Sequence, residues 1–259
     1  MPALKRLRKS QDQVATREDA ARSTSVLPRL LDEVALPLDE IVGLSQHLLD
    51  GSGGKLSLEQ RKWAEAISSG AARSAQRLRD YVDLMLLEAG ELPLRPKPHN
   101  LEEGIDQAAR QFREAARASG LHLVVEPAVR PLPAVLADPA RVVQVLSHLI
   151  ANAIKFTDRG QVTISTEPYD RSIAVHVVDT GVGMAAAQLP RLFEDFYQGE
   201  GAKLRDPASC GLGLTLSRRL VNRIGGDLWA SGTVGVGSKF SFTVPRTQGA
   251  AGQSRLAPV

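Results

Sequence analysis

A single cysteine, Cys210, stands among 259 residues, and aromatic side chains make up only 4% of the chain. One thiol excludes a disulfide framework and any zinc site built from several thiolates, and it agrees with a reducing compartment. So few rings leave no stacking platform for bases, and a net charge of +3 is too small to argue for nucleic acid. Long apolar runs are missing as well. None approaches the roughly 18 residues of a membrane helix, and Met1-Pro2-Ala3-Leu4-Lys5-Arg6 has basic residues but no apolar core of the signal-peptide kind. The expectation is a cytoplasmic protein with no membrane insertion and no nucleic-acid partner. No internal repeat is visible. With 43% hydrophobic and 24% charged residues, the chain has ample core for one large domain or two smaller ones.

The first half reads as helix. From Gln11 to Asp50 the apolar residues Leu27, Val34, Ile41 and Leu48 recur every seven positions, a seam that wants a partner helix. Gly51-Ser52-Gly53-Gly54 breaks the pattern, and Ser57 with Gln60 forms a capping-box signature for a second helix that continues to about Glu88. That helix carries Trp63, Ile67, Leu78, Tyr81, Val82 and Met85 on one side. Two such helices bury little by themselves, whereas two copies would close a four-helix bundle. The spacing therefore predicts a helical lead-in over 1–23, a dimerisation hairpin over 24–90 and a homodimer. Pro93, Pro96 and Pro98 stiffen a linker over 91–98. An α+β domain is predicted over 99–245, with a mixed sheet under helices. Its elements are a helix from Asn100 to Ser119, strands at Leu121–Glu126 and Val135–Ala137, a hairpin at Gln161–Thr166 and Ser172–Val178, and strands at Asp227–Ser231 and Lys239–Val244. Residues 246–259 read as a disordered tail.

Three segments of the second domain make chemical sense together. Val142, Val145, Leu146, Leu149, Ile150 and Ala153 form one buried helical stripe, which leaves Asn152 and Lys155 on a neighbouring face. The strand Ser172–Val178 ends in Asp179-Thr180-Gly181-Val182-Gly183, a carboxylate followed by glycines where a flat ligand could come close to backbone. Gly211-Leu212-Gly213-Leu214 precedes a helix from about Leu214 to Asn222, whose free N–H groups and dipole can face phosphate. Between them the long polar stretch Gln198 to Cys210 reads as a lid, with Lys203 and Arg205 as solvated charges or phosphate ligands.

These residues, with Phe193-Glu194-Asp195-Phe196 and Gly235-Val236-Gly237-Ser238, resemble the ATP-binding domain of sensor histidine kinases, in the fold shared with gyrase, Hsp90 and MutL. The resemblance implies ATP and Mg2+ as ligands. It assigns the adenine amine to Asp179, the metal to Asn152, phosphate to Lys155, and close approach to Gly181, Gly183, Gly211, Gly213 and Leu214. His148 occupies the family's first asparagine position, where an imidazole could still bond the metal but would weaken Mg2+ binding.

The hairpin resembles the same family through Pro37-Leu38-Asp39-Glu40-Ile41-Val42-Gly43. Read back from Pro37, Leu31-Asp32-Glu33-Val34-Ala35-Leu36 falls on the family pattern Ser-His-Glu-Leu-Arg-Thr, so Asp32 stands where the phospho-acceptor histidine belongs. Glu33 keeps the neighbouring acid. A carboxylate is a poor nucleophile toward a triphosphate of like charge, and Leu36 cannot position water as a threonine or asparagine would. The resemblance thus implies a two-component signalling protein deficient in autophosphorylation, acting on a response regulator or another histidine kinase. The competing expectation is an active histidine kinase working in trans in a heterodimer.

Overall fold

Alternating apolar periodicities of 3.6 and 2 divide this chain into a helical part and a sheet part, and contacts divide it at the same level, into Met1–Pro93 and Leu94–Val259. The computed structural model describes residues 31–198 and 211–247. Expectations on residues 1–30, on Lys203, Arg205 and Cys210, and on 248–259 lie outside them.

In the first unit, helix α1 covers residues 31–49 and α2 covers Leu58–Glu88. Helix α1 ends where Gly51 takes φ 82 and Ser52 donates its N–H to the His47 carbonyl, a left-handed stop that glycine tolerates best. Helix α2 starts on the expected capping box: Ser57 Oγ accepts from Gln60 N at 3.2 Å, and Gln60 Oε1 accepts from Ser57 N at 2.8 Å. Arg79 donates to Asp39 at 2.7 Å and Arg61 donates to the Leu49 carbonyl, which pins the hairpin register at two levels. The buried residues of α2 are Ala64, Ala71, Ala75, Asp80, Val82, Leu84 and Leu86, alanines up to Ala75 and larger side chains beyond it. Trp63 and Ile67, expected on the packed side, are 63% and 55% exposed. The periodicity found an apolar face but not what covers it; within one hairpin the alanines take the contact because they let two helices approach closely.

The second unit begins with a strand where a plain linker is predicted. Strand β1 (Lys97–His99) pairs antiparallel with β3 (Val135–Ala137), and Pro98 is tolerated because a two-stranded ribbon is all edge. Helix α3 (Leu101–Ala118) is capped by Asn100, whose side chain accepts from Glu102 N. Strands β2 (Leu121–Val125), β4 (Gly160–Pro168), β5 (Ser172–Asp179), β6 (Leu228–Thr233) and β7 (Gly237–Pro245) form one sheet in the order β2-β4-β5-β7-β6. Only β2 and β4 are parallel, so the sheet is mixed as expected. Helices α4 (Pro139–Phe156) and α5 (Leu212–Arg223) pack with α3 as a layer over one face. Ile173, Val175 and Val177 of β5 meet Phe240, Phe242 and Val244 of β7 in that core, all buried. By the two-residue period of a strand, Asp179 points to the same side, toward the helices.

Two boundaries differ from expectation. Helix α5 starts at Leu212, so Gly213 is inside its first turn. Arg246 and Thr247, expected in the tail, are held: Arg246 bridges to Val135 and donates to the Tyr169 and Asp170 carbonyls, and Thr247 donates to the Ala134 carbonyl.

Candidate functional site

Helix α4 is fixed at both ends. Asp138 caps it, accepting from Ala140 N on one oxygen and from Arg95 N on the other, with Pro139 in the first turn where its missing N–H costs nothing. At the far end Thr157 Oγ1 donates to the Ala153 carbonyl. The predicted stripe Val142, Val145, Leu146, Leu149, Ile150 and Ala153 is buried, and His148, Asn152 and Lys155 are half-buried beside it. The Lys155 ammonium lies 5.2 Å from the Phe156 ring centroid.

The loop after β5 docks on this helix end. Val182 N donates to the Phe156 carbonyl at 3.1 Å. A Cβ on Gly181 would collide with that same carbonyl, and one on Gly183, at φ 68, with the Thr233 carbonyl. These glycines therefore have a reason inside the protein: backbone packs on backbone there, which is a different use from the ligand approach expected of them. The loop also carries Asp179, 4% exposed, whose Oδ1 accepts from Gly181 N at 2.9 Å and Ser238 N at 3.2 Å. Burial pushes its carboxyl above the usual carboxylate range, against the opposing pull of those two amides and the Ser238 side chain. Oδ2 receives neither backbone bond. The result is an oriented acceptor at the end of a strand, in low dielectric.

Helix α5 opens on Gly211 at φ 70, with no side-chain cap among the described residues, and a helix start of this kind carries first-turn amides that an anion could use. A Cβ on Gly211 would strike the backbone of Phe196 and Tyr197. The turn containing those residues is strapped to α5. Thr215 Oγ1 donates to the Phe193 and Glu194 carbonyls, Arg219 pairs with both oxygens of Asp195 at 2.8 and 3.0 Å, and Arg218 stacks 4.8 Å from the Phe193 ring centroid. His148 ties α5 to α4, its Nδ1 3.0 Å from Ser217 Oγ and its ring against the first turn at Gly213.

Helix α4 thus carries the Asp179 loop at Phe156 and the α5 first turn at His148, about 12 Å apart by helical rise. The structure brings together His148, Gly213 and the Asn152–Lys155 face on one side, and Asp179, Gly181 and Gly183 on the other. Leu214 is half-buried in the first turn of α5. Asp32 and Glu33 are exposed on α1, in the other unit. The sequence reading named Ser238 and Asp195 only within motifs and missed their contacts, and it missed Thr215, Ser217 and Arg219. Each acts across 20 residues or more, which leaves no periodic trace.

A nucleotide's cation fits this donor set only in part. Among the described residues no three His, Cys, Asp or Glu side chains gather as a metal cluster. Asn152 and His148, one helical turn apart, would supply an amide oxygen and an imidazole, and phosphate oxygens and water the rest.

Residues 137–248 match the model for histidine kinase-, DNA gyrase B-, and HSP90-like ATPases. The chain is 31% identical over 242 residues to the autoinducer 2 sensor kinase/phosphatase LuxQ of Vibrio cholerae, covering 91% of this chain and 28% of LuxQ. It is 34% identical over 232 residues to the aerobic respiration control sensor protein ArcB of Escherichia coli, covering 88% of this chain and 29% of ArcB. It therefore spans under a third of the length of these curated relatives. Among solved structures, full-length ShkA in complex with AMPPNP superposes with a TM-score of 0.68 at 29% identity, over 88% of this chain and 47% of ShkA. This chain thus carries the ATPase domain shared by histidine kinases, DNA gyrase B and HSP90, and is similar over about nine tenths of its length to sensor histidine kinases.

Proposed function

We propose that this protein binds ATP with a divalent cation, Mg2+ by family resemblance, and acts in two-component signalling as a dimeric kinase-like module deficient in phosphorylating itself. The observation that carries the nucleotide reading is Asp179: a buried carboxylate held by two backbone amides is costly to keep in a fold unless a ligand uses it. An adenine amine is a donor of the right kind for Oδ2. Asn152 would hold the cation, Lys155 the phosphates, and Gly211, Gly213 and Leu214 would present first-turn amides. The deficiency rests on Asp32, which stands with Glu33 where an acceptor imidazole belongs, and on Leu36. Output would then run through contact with a response regulator or another histidine kinase.

The intact geometry around Asp179 and α5 also favours a second reading, phosphotransfer to a partner's histidine in trans. Labelled ATP separates the two. Wild type alone should take no label, and Asp32→His should take acid-labile, base-stable label if only the nucleophile is missing. Label on a competent partner kinase whose own ATP site is disabled would establish transfer in trans. Hydroxylamine-sensitive label on wild type, absent in Asp32→Ala, would make Asp32 a true acceptor and end the deficiency reading.

A further inference from the structure

The five-stranded sheet is finished differently at its two edges. Along β6, the Thr233 carbonyl leaves no room for a Cβ on Gly183, Met184 lies beside Gly232, and the short helical segment Ala186–Arg191 packs against the strand. Along β2, residues Leu121 to Val125 make no backbone hydrogen bond among the described residues except those to β4. In a parallel ladder, residues bond alternately toward the neighbouring strand and away from it. Glu126 N donates to the Ile164 carbonyl at 2.9 Å, so by that alternation His122 and Val124 bond β4, and Leu121, Leu123 and Val125 hold N–H and C=O outward. Edge strands are ordinarily guarded by Lys, Pro, a bulge or a covering element. Leu121–Val125 contains no Lys, Arg, Asp, Glu or Pro, and Val124 is exposed while Leu123 and Val125 are half-buried.

We infer that β2 is a self-pairing edge, on which a second copy of the chain adds its own β2 antiparallel about a two-fold axis at Leu123, joining two five-stranded sheets into one. That axis sets Leu123 against Leu123 and Leu121 against Val125, so every outward residue meets an outward residue and can exchange both hydrogen bonds. It uses the whole strand. It also sets His122 against Val124 on the face away from the helices, and Glu126 against Gly120, so no like charges meet. A contact of this length buries far less than the roughly 1,200 Å² of a stable complex, so it forms above micromolar concentration and leaves the state of the chain below that to other contacts. Where the hairpins also dimerise, two different two-fold contacts on one chain extend the assembly beyond a dimer. Nucleotide binding plays no part in this pairing.

Hydrogen exchange of the full wild-type chain, read amide by amide, tests the edge. Between micromolar and millimolar concentration the Leu123 and Val125 amides should slow by about twofold or more, while those of His122 and Val124, already bonded to β4, should not change. Disulfide trapping in Cys210→Ser chains tests the register. Leu123→Cys should couple to its own copy, since facing Cα atoms of a hydrogen-bonded pair lie about 5.5 Å apart, within disulfide reach. Val125→Cys should not, because it faces Leu121 and two Val125 positions lie roughly 13 Å apart along the strand. Exchange at Leu123 and Val125 that is independent of concentration overturns the inference, and so does trapping at Val125 as strong as at Leu123. Slowing that appears only when an extended peptide of unrelated sequence is added gives the edge to a different occupant and also overturns self-pairing. The wild-type exchange decides even if a cysteine variant does not fold.

Discussion

Burial raises the Asp179 pKa, so ionising this group costs the folded protein free energy. A carboxyl with a raised folded pKa contributes stability that is present below the unfolded value and lost as the pH rises through the folded one. That stability falls as the pH rises above the unfolded carboxylate value. Asp179→Asn keeps an Oδ1 that can accept from Gly181 and Ser238 and removes the charge, so it should raise the urea midpoint at pH 7. It should also weaken ATP binding by about tenfold to a hundredfold, since an acceptor for the adenine amine becomes a donor. Calorimetry and urea unfolding on one preparation check both halves; a less stable variant with normal affinity would mean the carboxylate is structural.

His176 gives the opposite pH dependence. Its Nδ1 meets Ser241 Oγ at 2.8 Å and its Nε2 meets Glu167 at 3.3 Å, and it is buried. Burial lowers its pKa, Lys239 lowers it further, and Glu167 partly opposes both. A depressed folded pKa means stability that is full above the unfolded value of roughly 6.5 and lost as the pH falls through the folded one. The urea midpoint should drop between pH 7.5 and 5, and His176→Gln should flatten that drop; an equal slope in the variant would assign the dependence elsewhere.

Elements with a strong local period were legible in the sequence. Helix α4 was read correctly from its stripe and the α2 start from Ser57 and Gln60, because those signals sit within one or two turns. Strand β1 was not, since three residues with a proline at the centre carry no alternation and owe their conformation to β3, 38 residues away at Pro98↔Leu136. The clasp of α5 on the Phe193–Tyr197 turn was equally invisible. A double-mutant cycle gives it a size. Asp195→Arg and Arg219→Asp should each cost stability, and the reversed pair should recover up to about 1 kcal/mol, as for partly exposed ion pairs. Additive losses with no recovery would mean that the ion pair contributes nothing to holding α5. At Gly181 and Gly183 a one-dimensional pattern marks the glycines, and only the fold shows that the Phe156 and Thr233 carbonyls leave no room for a side chain there.

At the level of the whole molecule the first unit leaves its heptad seam uncovered. Val34, Ile41 and Leu48 are 49%, 40% and 46% exposed, and Leu27 lies outside the described residues. An exposed apolar row of this length favours the proposed dimer, in which a second hairpin would bury it. Ile41→Glu would then place a charge in that interface at a cost of several kcal/mol, and light scattering should show a dimer for wild type and a monomer for the variant at micromolar concentration. A monomeric wild type would remove the bundle. No helix among the described residues is long and apolar enough to cross a membrane.

Strand β3 has a further consequence. The chain comes into the second unit along β1, paired to β3, and leaves along Arg246 and Thr247, bonded to Val135 and Ala134 at the start of the same strand. Entry and exit are therefore neighbours, stitched to one three-residue seam. A module with adjacent doorways can be spliced into a longer chain without its interior being rearranged, because whatever is added upstream or downstream leaves from one corner of the fold. Portability of this kind is a property of the hydrogen bonds on β3, not of the nucleotide site.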